Sequence, residues 1–523
     1  MSMPPNPLLD RSYPPRRWQA LMGMCLAASM VWLAFADFAV VAPTVSRELP
    51  ASLTDLQWAN NAFSLAAGAS VLSAGRMADV FGRKRMLVIG LVGLGLLSLL
   101  TAWAPDTLGL IVGRALMGVA AALILPATLA LIPPMFPVAE QPRAFGVWMA
   151  VAWVGQAAGP AVGGVLTALA GWRSTLWINV PLAVAALFLV RRAAIESTDP
   201  TAKRHIDLPG LFTSAGAALC LLYACTAGQA LGFTDPLIIG LFCGAVLLAA
   251  FFLWWENRAS DPLVDLRLFG SRPFCGALTA NLVMNFVFAG VSFLLTLYLQ
   301  DARGYSPLVT GLMLLPSIST ILLFNPVGGR VARTHGPRLP VRLGVLLLGI
   351  GTVVAGLVAR EFVYALVVAG LLVLGSGLGL MSIPLSNTAV AGPPEELAGT
   401  ASGMFKVTSM LGGAFGVAVL VAVEQAWETE QAVSRARAAG LSDSDVNELS
   451  NAVTDSKLAN QILGSVDAAT REAISTAYRE VAAVGTGHAI VLAGVIATLA
   501  ALALPLIWRV PAAPSSTEGR SKA

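Results

Sequence analysis

The sequence predicts an all-α polytopic membrane protein, and three observations predict it. Of 523 residues, 56% are hydrophobic and only 12% charged, with a mean hydropathy of +0.75; soluble domains carry about 25% charged residues. The apolar residues fall in blocks of about 20, the length a helix needs to cross a bilayer. A short basic segment between two such blocks, Gly75-Arg76-Met77-Ala78-Asp79-Val80-Phe81-Gly82-Arg83-Lys84-Arg85, returns in altered form in the second half of the chain.

Hydropathy places fourteen spans. The first six lie at about 18–42, 56–74, 86–103, 107–132, 144–169 and 175–190. Two more follow at about 208–230 and 237–255, and six at 273–299, 308–328, 343–359, 362–385, 400–423 and 487–508. The first span follows Arg16-Arg17 but is too long for a signal-peptide core, and Pro43 to Pro50 offers no cleavage site, so it reads as an uncleaved helix. The loops of one side hold 22 Lys/Arg, whereas the short loops of the other hold only Arg47, Arg173, Arg303 and Arg360. By the positive-inside rule both termini are expected in the cytoplasm. The loop 424–486 is then extracytoplasmic; it is acidic and rich in Ala and Ser. Helical composition at Asp467–Val484 predicts a small helical cap there, with a solvated linker as the alternative.

The second copy of the basic segment reads Gly329-Arg330-Val331-Ala332-Arg333-Thr334-His335-Gly336-Pro337-Arg338. Aligned without gaps, Gly75 meets Gly329, Gly82 meets Gly336 and Lys84 meets Arg338. Related loops at matching places indicate a duplicated architecture. The expected organisation is a cytoplasmic tail (1–17), a six-helix bundle (18–190) and a linker carrying two extra spans (191–256). A second six-helix bundle (257–508) and a cytoplasmic tail (509–523) complete it.

These residues resemble the major facilitator superfamily. The basic loop is similar to its pattern of Gly, three residues, Asp, two residues, Gly, then Arg/Lys. In span 5, Gly155-Gln156-Ala157-Ala158-Gly159-Pro160-Ala161-Val162-Gly163-Gly164 looks like the Gly-Pro-x-x-Gly-Gly motif of drug-exporting members. Trp172-Arg173 and Trp177-Ile178-Asn179-Val180-Pro181 look like the same region of fourteen-span drug–proton antiporters, and Ala401-Ser402-Gly403 and Leu411-Gly412-Gly413-Ala414 extend the likeness into span 13. One departure is visible in span 1. The family's Asp is kept as Asp37, but the Thr and Asn that usually follow are replaced in Phe38-Ala39-Val40-Val41-Ala42-Pro43. That bears on substrate range more than on coupling.

Ionisable groups inside a bilayer are costly and are functional candidates by default. Here they are Asp37 in span 1, Arg114 in span 4 and Lys406 in span 13, with Glu256 and Glu424 at helix ends. At 1.5 Å per residue, Asp37 and Arg114 lie roughly 8 and 10 Å from the outer surface. They are expected to pair when Asp37 is ionised, and to couple protons by opening and closing; a static ion pair is the alternative. The resemblance adds that Arg114 and Gly118 fit an Arg-x-x-x-Gly pattern often assigned to proton transfer. Lys406 reads either as a cavity cation for an anionic substrate or as a snorkelling side chain. Gly155, Gly159, Gly163 and Gly164 form a small-residue face beside Pro160, expected to kink the helix and let the two halves approach closely. Gly75, Asp79, Gly82, Arg83 and Lys84 are expected to gate conformation; by resemblance, Asp79 latches onto span 13, whose helix start near Gly399 offers a positive end. Trp32, Phe35, Trp148, Trp153, Gln156, Asn281, Asn285 and Lys406 are candidates for the substrate cavity.

The resemblance implies a proton-coupled exporter of amphipathic small molecules, multi-pass in the cell membrane, whose partners are protons, a lipophilic substrate and lipid. A metabolite or peptide transporter of the same fold, or a non-transporting sensor or scaffold, are the alternatives. No Gly-x-x-x-x-Gly-Lys-Ser/Thr loop points to a nucleotide, and no basic stripe points to nucleic acid. His205, His335 and His488 are scattered, so neither an enzyme nor a metal or other cofactor is expected. Cys25, Cys220, Cys225, Cys243 and Cys275 match no zinc or disulfide pattern.

Overall fold

The computed structural model describes residues 13–49, 51–137, 139–198, 207–259, 262–359, 364–391, 393, 398–438 and 468–508. Expectations that rest on 1–12, 439–467 and 509–523, including the middle of the proposed cap, lie outside the described residues. The described residues are helical with no strand.

The first set of helices is α1 (Arg17–Ala36), α2 (Phe38–Glu48), α3 (Leu53–Phe81), α4 (Arg83–Ala102), α5 (Thr107–Ala130), α6 (Ile132–Met135), α7 (Gln141–Ala170), α8 (Arg173–Trp177) and α9 (Asn179–Ala193). Then come α10 (Leu208–Leu231) and α11 (Pro236–Glu256). The second set is α12 (Arg272–Leu297), extended by a π turn at Tyr298–Ala302, α13 (Pro307–Met313), α14 (Leu315–His335), α15 (Arg338–Ala359), α16 (Tyr364–Ala391), α17 (Ala398–Ala438) and α18 (Ala468–Ile507).

Among the described residues twelve helices are long and apolar enough to cross a membrane, and the bent α7, taken as one span, makes a thirteenth. The fourteenth expected span is α3. At 29 residues it is about 43 Å long, but Asp55, Gln57, Asn60, Asn61, Arg76 and Asp79 dilute its apolarity. Its start is specified locally: Ser52 accepts from Asp55 N while Asp55 Oδ2 accepts from Ser52 N, a reciprocal capping box. Its polar residues Gln57, Asn60, Asn61 and Ser64 are buried against neighbouring helices rather than facing lipid.

Packing repeats between the two sets. In the first, α1 packs on α7 and α9, α3 on α5, and α4 on α5 and α9. In the second, α12 packs on α17 and α18, α14 on α16, and α15 on α16 and α18. The aligned loops repeat in detail as well. Gly82 and Gly336 both take positive φ (113° and 78°), which favours glycine. Lys84 Nζ donates to the carbonyls of Arg191 and Ala194 at the end of α9, and Arg338 Nη2 donates to the Pro505 carbonyl near the end of α18. Two six-helix units therefore share one construction, and α10 and α11 are additions to it.

Those two pack on each other, with α10 also touching α3 and α17. Leu237, Ile239, Val246, Leu247, Phe251, Leu253 and Trp254 of α11 are exposed. An apolar surface of that extent is intelligible only against lipid. The chain is a multi-pass membrane protein. Below, the side carrying the Gly75–Arg85 turn is called the basic face.

The long polar loop begins and ends as helix: α17 runs on to Ala438, and α18 starts at Ala468. The two are tied at the face opposite the basic one, where Thr486 donates to Glu424 and Trp427 stacks on His488 with centroids 4.3 Å apart.

Candidate functional site: a cavity between the two helix sets

Asp37 sits where α1 stops and α2 begins, and the break is built around it. Val40 N bonds to Asp37 O in a tightened turn, and Pro43 removes a donor inside α2. Asp37 is buried, at 4% exposure. Arg114, fully buried on α5, sets its guanidinium over the ring of Phe38, the residue after Asp37. The expected direct pair is not formed, however: among the described residues no ion pair joins them. Arg114 is held elsewhere, with Nη1 donating to Ala34 O at 2.8 Å and Nε to Ala59 O at 3.1 Å. Its guanidinium faces the rings of Phe38 (4.6 Å) and Phe63 (5.1 Å), and Nη2 has no hydrogen-bond partner among the described residues. Gly118, one turn on, has the Phe63 carbonyl where a Cβ would stand, so it admits α3 beside Arg114. The result is a cation fixed to two helix backbones with one donor arm spare, next to an acid at a hinge.

The glycine face of α7 divides its work. Gly155 packs on Ser29, Gly159 has Ala36 Cβ 2.5 Å from where its own Cβ would be, and Gly163 abuts Asp37 (O at 3.0 Å, Cβ at 3.3 Å). These three glycines therefore meet the first set, Gly155 at Ser29 and Gly159 and Gly163 at Ala36 and Asp37, rather than serving the approach of the two sets expected from the sequence. Only Gly164 and Pro160 meet the second set. A Cβ on Gly164 would run into Pro307 O and lie 3.4 Å from Gly311 Cα, and one on Gly311 would lie 2.7 Å from Pro160 O. The expected kink is present: α7 bends by 44° between Gln156 and Ala158. Pro160 accounts for it by removing the bond to the Gln156 carbonyl. Beside this seam, Gln300 Nε2 of the π turn donates to Val40 O at 2.7 Å. Together they close the face opposite the basic one. Trp172 Nε1 and Arg173 Nη1 both reach Glu48 Oε2, tying the end of α2 to the turn after α7.

Below the seam lies a small cavity of about 20 Å³ lined by both sets: Trp32 of α1, Met149, Ala152 and Gln156 of α7, Asn285 of α12, Ser386 of α16, and Phe405, Lys406 and Ser409 of α17. Lys406 is buried at 6% exposure. It does not snorkel, and among the described residues it forms no ion pair: Nζ lies 5.0 Å from the Trp32 ring, 5.1 Å from Trp148 and 5.7 Å from Phe405. Cation–π contacts of this kind stabilise a charge by about 0.5–2 kcal/mol each. Gln156 Nε2 is buried without a partner among the described residues. A second space of about 20 Å³, behind Pro160, is lined mainly by apolar residues such as Phe288, Val291 and Leu374.

Of the residues expected in the cavity, Trp32, Gln156, Asn285 and Lys406 line it. Asn281 does not. It is fully buried, with Nδ2 within 2.7–2.9 Å of Phe405 O, Thr408 Oγ1 and Ser409 Oγ, so its amide fastens α12 to α17 behind Lys406. Phe35 packs against α17 at Gly413 and edge-on to Trp32. Trp148 lies under Lys406. Ser386, Ser409 and Phe405 escaped sequence reasoning, since serines and phenylalanines in apolar spans carry no distinguishing signal.

The basic turn is braced within the first set. Arg83 holds Asp79 (2.8 Å from Nε, 2.7 Å from Nη2) and donates to Ala130 O. Glu196 accepts from the Lys84 and Arg85 backbone N–H groups, satisfying orphan donors at the start of α4, and occupies the space a Cβ on Gly82 would need. A Cβ on Gly75 would lie 3.5 Å from Pro126 and one on Gly329 3.6 Å from Ile383, at equivalent helix crossings. The only partner of Asp79 among the described residues is Arg83, so the latch onto α17 is not formed here. Glu196 was not anticipated; an acid just past Arg191-Arg192 was its only trace in the sequence.

The chain is 34% identical over 408 residues to the multidrug resistance protein Stp of Mycobacterium tuberculosis (strain CDC 1551 / Oshkosh), covering 78% of this chain and 76% of that one. It is 32% identical to the tetracenomycin C resistance and export protein of Streptomyces glaucescens, with 77% and 75% covered. It is also 34% identical to the puromycin resistance protein pur8 of Streptomyces alboniger, with 78% and 81% covered. Its backbone is similar to the inward-facing, occupied structure of a bacterial homologue of the human lysosomal transporter Spinster, with a TM-score of 0.65, 15% identity, and 96% and 100% of the two chains covered. The Major Facilitator Superfamily model matches residues 20–417, and with the repeated six-helix packing this places the chain in that superfamily.

Proposed function

We propose that this protein is a proton-coupled exporter of amphipathic small molecules that works by alternating access, with both termini and the basic face in the cytoplasm. The observation that carries the reading is the cavity between the two helix sets. Its walls come from both, and it is capped by a seam of backbone-to-backbone contacts at Gly164 and Gly311 that can part without breaking a core. The export and resistance proteins among the relatives support the direction of transport.

In this reading the bundles 18–190 and 257–508 rock about the cavity. Asp37 takes a proton from the extracytoplasmic side when the seam parts, because its hinge lies against α7 at Gly163. The spare Nη2 of Arg114 stabilises the ionised form once the proton has left, and a carboxylate that gains and loses such a partner changes its proton affinity. Asp79 leaves Arg83 for the positive start of α17 when the basic face closes, which makes the Gly75–Lys84 turn a latch. Only the first loop can do this, because Arg333 replaces Asp79 in the second copy.

Accumulation of a lipophilic dye in cells with and without the protein tests the proposal. Expression should lower accumulation, and a protonophore should restore it. Raised accumulation would instead mean uptake, and no change with any dye would favour a sensor or scaffold.

A further inference from the structure

We propose that the central cavity selects amphipathic aromatic acids: molecules with a flat apolar body and one deprotonated oxygen acid, held on Lys406 Nζ. This deepens the exporter reading and rests on it for transport, though not for binding.

Three observations carry it. Lys406 is buried, and among the described residues it has no ion pair and no hydrogen bond; its neighbours are the faces of Trp32, Trp148 and Phe405. Ring faces compensate a buried ammonium only in part, and removing a charge from water is costly unless it is paired. Among the described residues the cavity lining contains no Asp or Glu to serve as a counter-charge, and a cationic substrate would have only ring faces to offset its repulsion from Lys406. The remaining polar wall offers a donor: Gln156 Nε2 is buried without a partner. An acid oxygen on Nζ with a second acceptor on Gln156 would satisfy both; the cavity is too small for a ring system in this closed arrangement, and when the two sets part the aromatic body would lie against Trp32 and Phe405.

The position of Lys406 is built rather than incidental. The Asn281 amide bonds to the Phe405 carbonyl, immediately before Lys406, and to the hydroxyls of Thr408 and Ser409 after it. That clamp fixes the turn of α17 carrying the ammonium, so the charge is presented to the cavity without reorganisation on binding.

The same chemistry could come from an anionic phospholipid headgroup, so the test is run with the full chain in neutral-lipid vesicles, with and without added anionic phospholipid. The probes are naphthalene-2-carboxylate, its primary amide and a naphthylmethyl ammonium. Binding is read by quenching of probe fluorescence, and transport by an imposed pH gradient. The acid should bind at least tenfold more tightly than the amide, and the ammonium should not compete. Lys406→Gln should abolish the preference, bringing acid binding down to the level of the amide, and Lys406→Arg should retain part of it. An unchanged thermal midpoint for Lys406→Gln, or for Lys406→Met if Gln disturbs folding, separates this from misfolding.

Equal binding of acid and amide, or equal loss of both in Lys406→Gln, would overturn the assignment, leaving Lys406 as a structural or gating group. Displacement of the acid by anionic phospholipid, with no transport of the acid, would also overturn it in favour of a lipid headgroup. Gradient-driven movement of the amide together with equal binding would leave the exporter reading intact and sink only the acid preference. Acid binding without gradient-driven movement of any probe would do the reverse.

Discussion

The seam at Gly164 and Gly311 gives a prediction whose size follows from the geometry. Alanine at 164 places a methyl group against Pro307 O, with Pro307 C at 3.1 Å; alanine at 311 places one 2.7 Å from Pro160 O and 3.1 Å from Ala161 Cα. The obstacles are backbone atoms on both sides, so no side chain can rotate away. Overpacking of this kind costs about 1–3 kcal/mol, and the cost applies only while the seam is shut. Glycine to alanine also favours a helix by about 1 kcal/mol, but that gain is common to both states and cancels. The ratio of closed to open molecules should therefore fall about 5- to 150-fold per substitution. Because the two sites share the same crossing, the double variant should show less than the sum. Spin labels at Leu169 and Val309, both exposed and flanking the seam, report the distance across it. The variants should shift the distribution to longer separations, as should any wild-type condition that opens this face. Distributions identical to wild type in both single variants would refute the idea that these glycines set the closed state.

Three further outcomes follow from the packing. Asn281→Leu should lower the thermal stability of the detergent-solubilised protein by about 1–2 kcal/mol, the upper range for interhelical hydrogen bonds in membranes; an unchanged melting curve would mean that Thr408 and Ser409, which also bond to Phe405 O, suffice. Glu196→Ala should speed amide exchange at Lys84 and Arg85, with a loss of about 0.5–2 kcal/mol typical of a removed cap, and leave α15 unaffected. Gly163→Leu should impair transport because the atoms nearest a Cβ there all belong to Asp37; transport at the wild-type rate would separate the glycine face from coupling.

The lesson about legibility is uneven. Spans and the repeat could be read because bilayer thickness and charge act on composition alone: Arg83 and Lys84 announce a loop, and Gly82 with Gly336 announces a pair of equivalent turns. The polar α3 could be placed by hydropathy because its apolar middle sits between two signals, the Ser52–Asp55 cap and the basic turn. What could not be read was partnership. Asp37 and Arg114 are at matching depth, yet the guanidinium chose the Ala34 and Ala59 carbonyls, which every helix offers and no sequence marks. Asn281 and Asn285 share a face, but one fastens helices and the other lines the cavity, a difference set by where α17 crosses. The glycines of α7 advertise close packing without saying against what, and two of the four turned out to lie against Asp37.

The measurement that bears most directly on the central claim is efflux from proteoliposomes under an imposed pH gradient, comparing the wild type with Asp37→Asn. The wild type should move substrate against its concentration gradient only while the pH gradient stands. Asp37→Asn should lose that response yet still exchange substrate between the two sides at equal pH, since the cavity and the seam are untouched. Full gradient-driven accumulation in Asp37→Asn would contradict the account.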